Sequence, residues 1–263
     1  MKRQTESFTP IRNSSGNTRL DRALFYARMI LDLQIYTIYR DIRRFMAALA
    51  QVPRVHQATN GGQVRRAMLD VGCGDSPYRF LLDPSYSYHG IDIADAEKFG
   101  YDNNEITSFD GANIPFEADL FDAILCTEVL EHVYDYQALV NEMYRVLAPG
   151  GIALITVPWS ARYHYLPHDY FRYTPSSLRN VFSAFSSIDI KPRGTVISVI
   201  ANKTLVLVVG LLRQRLWRAI FSLPFVMSIL PLLAMLLLVA HIGIALGKYS
   251  PVDPLGYTII VQK

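Results

Sequence analysis

Two cysteines in 263 residues, Cys73 and Cys126, cannot build a disulfide framework, and neither sits in a zinc-type cysteine pair. A reducing cytosol is the expected compartment. Charge is scarce as well, at 19% of the chain against about 25% in an average soluble protein. With 51% apolar residues, a disordered chain is excluded. The net charge of +3 hides an uneven distribution. Residues 1–66 hold 12 Lys/Arg against 4 Asp/Glu, residues 67–145 hold 3 against 16, and residues 146–263 hold 11 against 3. An acidic middle between basic, apolar ends argues against a broad nucleic-acid surface. It fits a soluble catalytic core held against an anionic membrane. Residues 1–17 are polar and contain no secretory apolar run, so they read as a disordered tail. No internal repeat is visible.

The length fits one large domain, or one domain plus an insertion. Residues 18–51 read as one long helix, because Leu20, Leu24, Ala27, Leu31, Ile35, Ile38, Ile42, Phe45 and Leu49 recur every three or four positions. Thr18 is its expected N-cap. This helix either packs on the core or lies at a membrane interface, covering the substrate. Residues 52–63, with Pro53, Gly61 and Gly62, read as a linker. Short apolar runs then alternate with helical stretches. Strands are expected at 67–71, 88–93, 106–109, 121–126, 151–157, 186–191 and 257–262, with a helix at 135–147. The expected fold is α/β, a doubly wound, mostly parallel seven-stranded sheet with a long N-terminal helix and an apolar helical insertion before the last strand. The implied segments are 18–66, a 67–195 core, a 196–247 insertion and a 248–263 return.

The run Leu69-Asp70-Val71-Gly72-Cys73-Gly74-Asp75 ends the first strand and opens a turn where a ligand can approach the backbone. Asp92 closes the next strand, where an acid can accept both hydroxyls of a ribose. Asp110 follows the third strand, where a carboxylate can accept from an adenine amine. Further on stand Phe121-Asp122-Ala123-Ile124-Leu125-Cys126, then Arg145-Val146-Leu147-Ala148-Pro149-Gly150-Gly151. An NAD enzyme would need the Gly-x-Gly-x-x-Gly helix start that cradles a pyrophosphate, and the chain does not have it.

These five motifs, in order and at these spacings, resemble a class I S-adenosylmethionine-dependent methyltransferase of the small-molecule type over residues 67–158. The resemblance implies a Rossmann-like fold and S-adenosylmethionine as cofactor. Carried over, Asp70, Gly72, Cys73, Gly74, Asp92, Ile93, Asp110, Gly111 and Thr127 would bind it. The family often has a third glycine in the first loop; here Asp75-Ser76-Pro77 stands instead.

Glu128, Glu131 and His132 follow the fourth strand. On one helical turn all three would project to one side and suit a divalent metal such as Mg2+ or Zn2+. The cluster is similar to one in ubiquinone-pathway O-methyltransferases and small-RNA 2′-O-methyltransferases, where it holds a metal. Alternatively it shapes the cofactor pocket without one. His164, His168 or Asp169 could complete it. Residues 163–174 bring His164, His168, Asp169, Tyr170 and Arg172 into the loop after the fifth strand, where doubly wound folds place catalytic groups. His168 or His164 could act as general base, or Asp169 and Arg172 could simply pair. Thr174 and Pro175 are an expected N-cap and N1.

Residues 219–247 hold no Asp, Glu, Lys or Arg in 29 positions. About 20 apolar residues in a helix span a bilayer. The arginines at 213, 215 and 218 oppose a simple hairpin, and Pro224 and Pro231 are expected to break the second helix. A monotopic or re-entrant element is expected, with a true hairpin or packing on protein as alternatives. The functional expectation is methyl transfer to a hydroxyl of a membrane-associated amphiphile: a lipid-linked sugar, a polysaccharide precursor or a quinone-like compound. The expected partners are that substrate and the cytoplasmic surface of a membrane, with no nucleic acid. A non-catalytic cofactor-binding partner subunit and an RNA 2′-O-methyltransferase are the alternatives. Oligomeric state is left open.

Overall fold

The computed structural model describes residues 19–50, 66–94, 106–214 and 216–263. The expected tail 1–17, the Thr18 cap and the linker 52–63 lie outside the described residues. Seven strands form one sheet: β1 (Arg66–Val71), β2 (Tyr86–Ile93), β3 (Thr107–Phe109), β4 (Phe121–Thr127), β5 (Leu147–Pro158), β6 (Ser187–Arg193) and β7 (Gly256–Gln262). Their order is β3-β2-β1-β4-β5-β7-β6, with β7 antiparallel to both neighbours and the other pairings parallel. Side chains alternate across this sheet as the pleat requires. Leu69, Val71, Ile124, Cys126 and Ile155 enter one core, whereas Met68, Ala123, Leu125 and Leu154 enter the other. Helix α3 (Tyr136–Val146) covers the first face through Leu139, Val140 and Met143, capped by the Asp135 carboxylate on the Ala138 N–H.

The other face is covered by α1 (Arg19–Leu31) and α2 (Leu33–Leu49). The expected single helix is thus two. Asp32 is extended, and its carboxylate accepts from the N–H groups of Gln34 and Ile35, giving α2 its own N-cap. The apolar period runs through the break, so periodicity alone hides it. Helix α4 (Pro175–Val181) starts as expected, with Thr174 accepting from the Ser177 N–H and Pro175 at the first helical turn.

Between β6 and β7 come α5 (Val196–Leu212) and α6 (Leu216–Ala245). A Thr195–Ser198 capping box starts α5. Contrary to expectation, α6 runs unbroken through Pro224 and Pro231. The prolines are seven residues apart, so each interrupts the hydrogen-bond ladder locally, and the α6 side chains Val226 and Leu233 pack with Val208 of α5. The C-terminal part of α6 is tied to α1 and α2. Arg40 donates to the Ile244 carbonyl, the His241 ring lies 2.9 Å from the Ile30 carbonyl, and it meets Tyr36 edge-on. Residues 220–245 of α6 include an 18-residue window of mean hydropathy 2.5, and the helix is long and apolar enough to cross a membrane. Phe221, Met227 and Leu238 on it are 81%, 61% and 61% exposed.

Candidate active site

The carboxyl ends of β1, β2, β4 and β5 meet at one edge, where doubly wound folds bind ligands. Beyond β1, the N–H groups of Gly72 and Cys73 both donate to the Ile91 carbonyl, which pins the loop to β2. Gly72 has φ +65°, and a Cβ there would stand 2.5 Å from Val129 Cγ2. Glycine is therefore required by both conformation and space. Ser76 takes φ +53°, and its N–H donates to the Cys73 carbonyl. The turn expected of a third glycine is thus made by serine.

Asp92 sits behind this loop. Its Oδ2 accepts from the Gly74 N–H at 2.7 Å and its Oδ1 from the Ile93 N–H at 2.8 Å. Burial, opposed by those two bonds, pushes its carboxyl above the usual range. Asp110 is exposed, and its carboxylate accepts from the Ala112 and Asn113 N–H groups and the Asn113 amide, which holds it down to about 2. Arg145 clips the same loop through the Ile114 and Phe116 carbonyls.

Asp70 lies inside the sheet, with Oδ2 accepting from the Tyr88 hydroxyl at 2.7 Å and Oδ1 buried without a hydrogen-bond partner. Burial, opposed by the Tyr88 bond and reinforced by Asp92, pushes the Asp70 carboxyl up to about 7. The folded chain therefore keeps a proton that the unfolded chain sheds above about pH 4. Stability without cofactor is expected to fall as pH rises from about 4 to about 7, and Asp70→Asn to flatten that slope. Urea midpoints across this range check it; an unchanged slope in the variant contradicts it.

A cavity of about 550 Å³ opens beside the glycine loop, within the range of small-molecule sites. Gly72, Cys73, Gly74, Thr127, Glu128, His132 and His164 line its sheet side. Asp32, Gln34 and Ile35 of the α2 start and several residues of α5 line the other. Asp70, Asp92, Ile93, Asp110 and Gly111 are not in its wall.

The expected common face for Glu128, Glu131 and His132 is corrected by the backbone. Glu128 follows β4 with φ +54°, and only Leu130–His132 makes a short 3-10 turn. Glu128 is turned to Arg193, whose Nη2 lies 2.6 Å from its Oε1 and also donates to the Val157 carbonyl. Arg193 is 2% exposed. Glu128→Ala leaves that cation buried without its counter-charge. It is expected to lower unfolding free energy by about 3 kcal/mol. The double variant with Arg193→Leu should recover most of the loss in urea titrations. Equal instability of both variants would show that the ion pair is not the cause.

The structure instead brings together Glu131, His132 and His164, whose ligand atoms lie within 4.8 Å of one another. Both carboxylate oxygens of Glu131 are buried with no hydrogen-bond partner, and burial pushes its carboxyl well above the usual range. His132 Nδ1 donates to the His168 carbonyl at 2.6 Å, which leaves Nε2 as a buried acceptor, unpartnered, 3.7 Å from Glu131. Burial pushes its imidazole down to about 4. A divalent cation fits this donor set.

His164 Nδ1 lies 3.2 Å from Asp169 Oδ2, and the His164 N–H donates to the same oxygen. Arg172 grips Asp169 from the other side with bonds of 2.6 and 2.8 Å. Burial raises the Asp169 carboxyl, but the Arg172 fork and the His164 N–H outweigh it, and the net shift is downward. His168 is exposed, with Nδ1 3.0 Å from the Tyr170 hydroxyl, and neither residue lines the cavity. Of the cavity residues on the helices, Arg28, Asp32, Gln34 and Lys203 were not expected in a site from their sequence pattern, and Arg213 was read only as a charge opposing a membrane hairpin. Lys203 carried the one available signal, a charge inside an otherwise apolar run.

The fold and the glycine loop resemble those of class I S-adenosylmethionine-dependent methyltransferases. Residues 69–155 match a family model described as a methyltransferase domain. Two relatives illustrate the similarity. A ubiquinone biosynthesis O-methyltransferase of Psychrobacter cryohalolentis is 30% identical over 112 residues, 36% of this chain and 42% of that one. A ubiquinone/menaquinone biosynthesis C-methyltransferase of Geotalea daltonii is 29% identical over 178 residues, 61% of this chain and 72% of that one. The chain thus spans less than half the length of the first. A solved S-adenosylmethionine-dependent methyltransferase from Archaeoglobus fulgidus shares the fold at 14% identity and TM-score 0.51, covering 92% of this chain and 99% of that one.

Proposed function

We propose that this chain transfers a methyl group from S-adenosylmethionine to a hydroxyl of an amphiphile at the cytoplasmic surface of a membrane. A lipid-linked sugar, a polysaccharide precursor or a quinone-like compound would meet that description. One observation carries the reading: the glycine loop and His164 line a single cavity whose far wall is the apolar helix α5.

The glycine loop fits the cofactor, since Gly72 leaves open backbone where a side chain would clash and Asp92 braces the loop from behind. Gly72, Cys73 and Gly74 would meet its methionine end and Asp92 its ribose. When bound, S-adenosylmethionine supplies an electrophilic methyl group on a sulfonium leaving group. Asp169 and Arg172 fix the His164 ring. His164 takes the hydroxyl proton as the acceptor oxygen forms its bond to the methyl carbon and the sulfur–carbon bond breaks. Much of the remaining work is positioning. The exposed apolar side chains of α6 and the basic ends of the chain support contact with an anionic membrane surface.

The two unpartnered oxygens of Glu131 favour a second reading of the acceptor site. There Glu131, His132 and His164 hold a divalent cation, which would lower the pKa of the attacking hydroxyl. Incubation with methyl-labelled S-adenosylmethionine and a bacterial lipid extract tests the main reading, with label expected in the organic phase. Label only in added RNA, or in nothing, contradicts it. A parallel metal titration decides between the readings. Stoichiometric binding lost in Glu131→Gln, with transfer lost after EDTA, establishes the cation; transfer indifferent to EDTA leaves His164 as the sole proton acceptor.

A further inference from the structure

Helix α6 is apolar around its whole circumference, and the domain covers only a narrow seam of it. Val226, Leu233, Leu237, Ala240 and Ile244 form that seam, buried in one cluster with Leu33 of α2 and Val208 of α5. At about 100° per residue the exposed side chains fall on the remaining sides. Leu223 and Met227 lie on one flank, Phe225 and Leu232 on the other, and Met235 and Ile242 opposite the seam. A helix lying at a membrane interface ordinarily turns a polar face to water. Here the protein-covered seam takes the place of that face. A second copy of the chain would cover one flank; a fluid hydrocarbon phase covers all of them at once. Exposed Leu24 and Ile30 of α1 continue the apolar surface where His241 meets the Ile30 carbonyl. Lys248 and Tyr249, both exposed, follow the end of α6, and these residue types settle at the headgroup level.

Lengths decide the direction of the helix. Asn202, Val206, Val209 and Arg213 line the cavity along about 16 Å of α5, so α5 lies along the catalytic domain and does not point away from it. Helix α6 runs antiparallel beside it. A Cβ on Gly243 would stand 3.6 Å from Thr195, the N-cap of α5, and Val226 and Leu233 cluster with Val208. The seam from Val226 to Ile244 holds about 27 Å of α6 against the protein. Residues 216–225 precede it, about 15 Å of helix, which is half of a hydrocarbon core of about 30 Å. Both feet of the insertion are fixed at one sheet edge, where the Ser250 N–H donates to the Gly194 carbonyl and the Leu255 N–H to the Arg193 carbonyl. Pro224 and Pro231 withhold the N–H groups that the Ile220 and Met227 carbonyls would bind. Carbonyls short of a partner are costly at the bilayer centre and are solvated at its polar boundary. We propose that α6 lies in the plane of a bilayer, sunk into the leaflet that faces the domain, and that the α5–α6 insertion does not cross. The inference rests on the membrane contact proposed for the chain and not on methyl transfer. The cavity then opens about one helix diameter, about 10 Å, from the leaflet. That keeps the head of an amphiphile within reach of His164 while its chain stays in hydrocarbon.

The test uses the full chain bound from outside to vesicles of phosphatidylglycerol and phosphatidylcholine. Both native thiols, Cys73 and Cys126, are buried, so added single cysteines can be read against them. Gln214→Cys marks the turn between α5 and α6, and Tyr134→Cys, exposed on the catalytic domain, marks the vesicle exterior. A membrane-impermeant maleimide added outside is expected to label both, with no gain at Gln214→Cys when detergent lyses the vesicles. Protection of Gln214→Cys that detergent lifts would mean that the hairpin crosses, and overturns the proposal. A polarity-sensitive fluorophore on Met235→Cys or Ile242→Cys should report hydrocarbon, quenched more by a spin label high on the acyl chain than by one near its end. Stronger quenching by the deep label at either position also overturns it. The double variant Met235→Ser/Ile242→Ser, changed only at exposed side chains, should bind vesicles about tenfold or more weakly; unchanged binding removes α6 from the contact. A chain that does not bind vesicles overturns the inference together with the membrane contact, and a dimer that hides both positions assigns the face to a second copy. S-adenosylmethionine affinity in the same samples is an independent readout, and its absence would count against the methyltransferase reading alone.

Discussion

His164→Gln is expected to lower the turnover of methyl transfer by about 10²- to 10⁴-fold while S-adenosylmethionine affinity stays within a few-fold of the unmutated chain. The expectation follows from position. His164 lies in the cavity wall with Asp169 on its Nδ1 side and Arg172 locking Asp169 in place. A carboxylate so held orients the ring and stabilises the imidazolium formed when the hydroxyl proton arrives. Glutamine keeps the approximate size and removes the base. His168→Gln is the comparison, because that ring points to Tyr170 and contributes to the cavity only through its carbonyl on His132. Single-turnover rates with labelled cofactor separate the two. If His168→Gln is the slower variant, the proton acceptor has been assigned to the wrong histidine.

Asp92→Ala should weaken S-adenosylmethionine binding by about a hundredfold or more, since two hydrogen bonds to a charged acceptor contribute about 1.5–3 kcal/mol each. The loss has two sources. Alanine removes the acceptor that would meet the ribose hydroxyls, and it releases the Gly74 N–H from its 2.7 Å bond, which loosens the loop. Asp92→Asn helps to divide them. It keeps an oxygen for the loop but offers the ribose a neutral acceptor, so its affinity should fall between the two. Calorimetry on the three proteins makes the comparison; an Asp92→Ala variant that binds as well as the unmutated chain would remove Asp92 from the site.

The sheet was legible because its signals are local. Met68 and Leu69, or Leu125 and Cys126, alternate between two buried faces, and β1, β3, β4 and β6 end where a glycine or an acid begins the loop. The glycine loop, Asp92 and the Thr174 cap were legible for the same reason. What stayed hidden depends on backbone angles or on contacts across the fold. The α1–α2 break rests on one residue, Asp32, whose capping role an uninterrupted apolar period conceals. The Glu128 side chain was misplaced because a left-handed residue after β4 has no sequence signature when it is not glycine. Its partner Arg193 lies 65 residues away in sequence, beyond any spacing argument. Pro224 and Pro231 marked a break by rule, and tertiary packing on α5 overrode it.

The most direct test of the central claim is calorimetric titration of S-adenosylmethionine into the purified full chain, with and without mild detergent. The account predicts saturable binding of one equivalent, in the micromolar range, in both conditions. A folded sample that takes up no S-adenosylmethionine in either condition would contradict it.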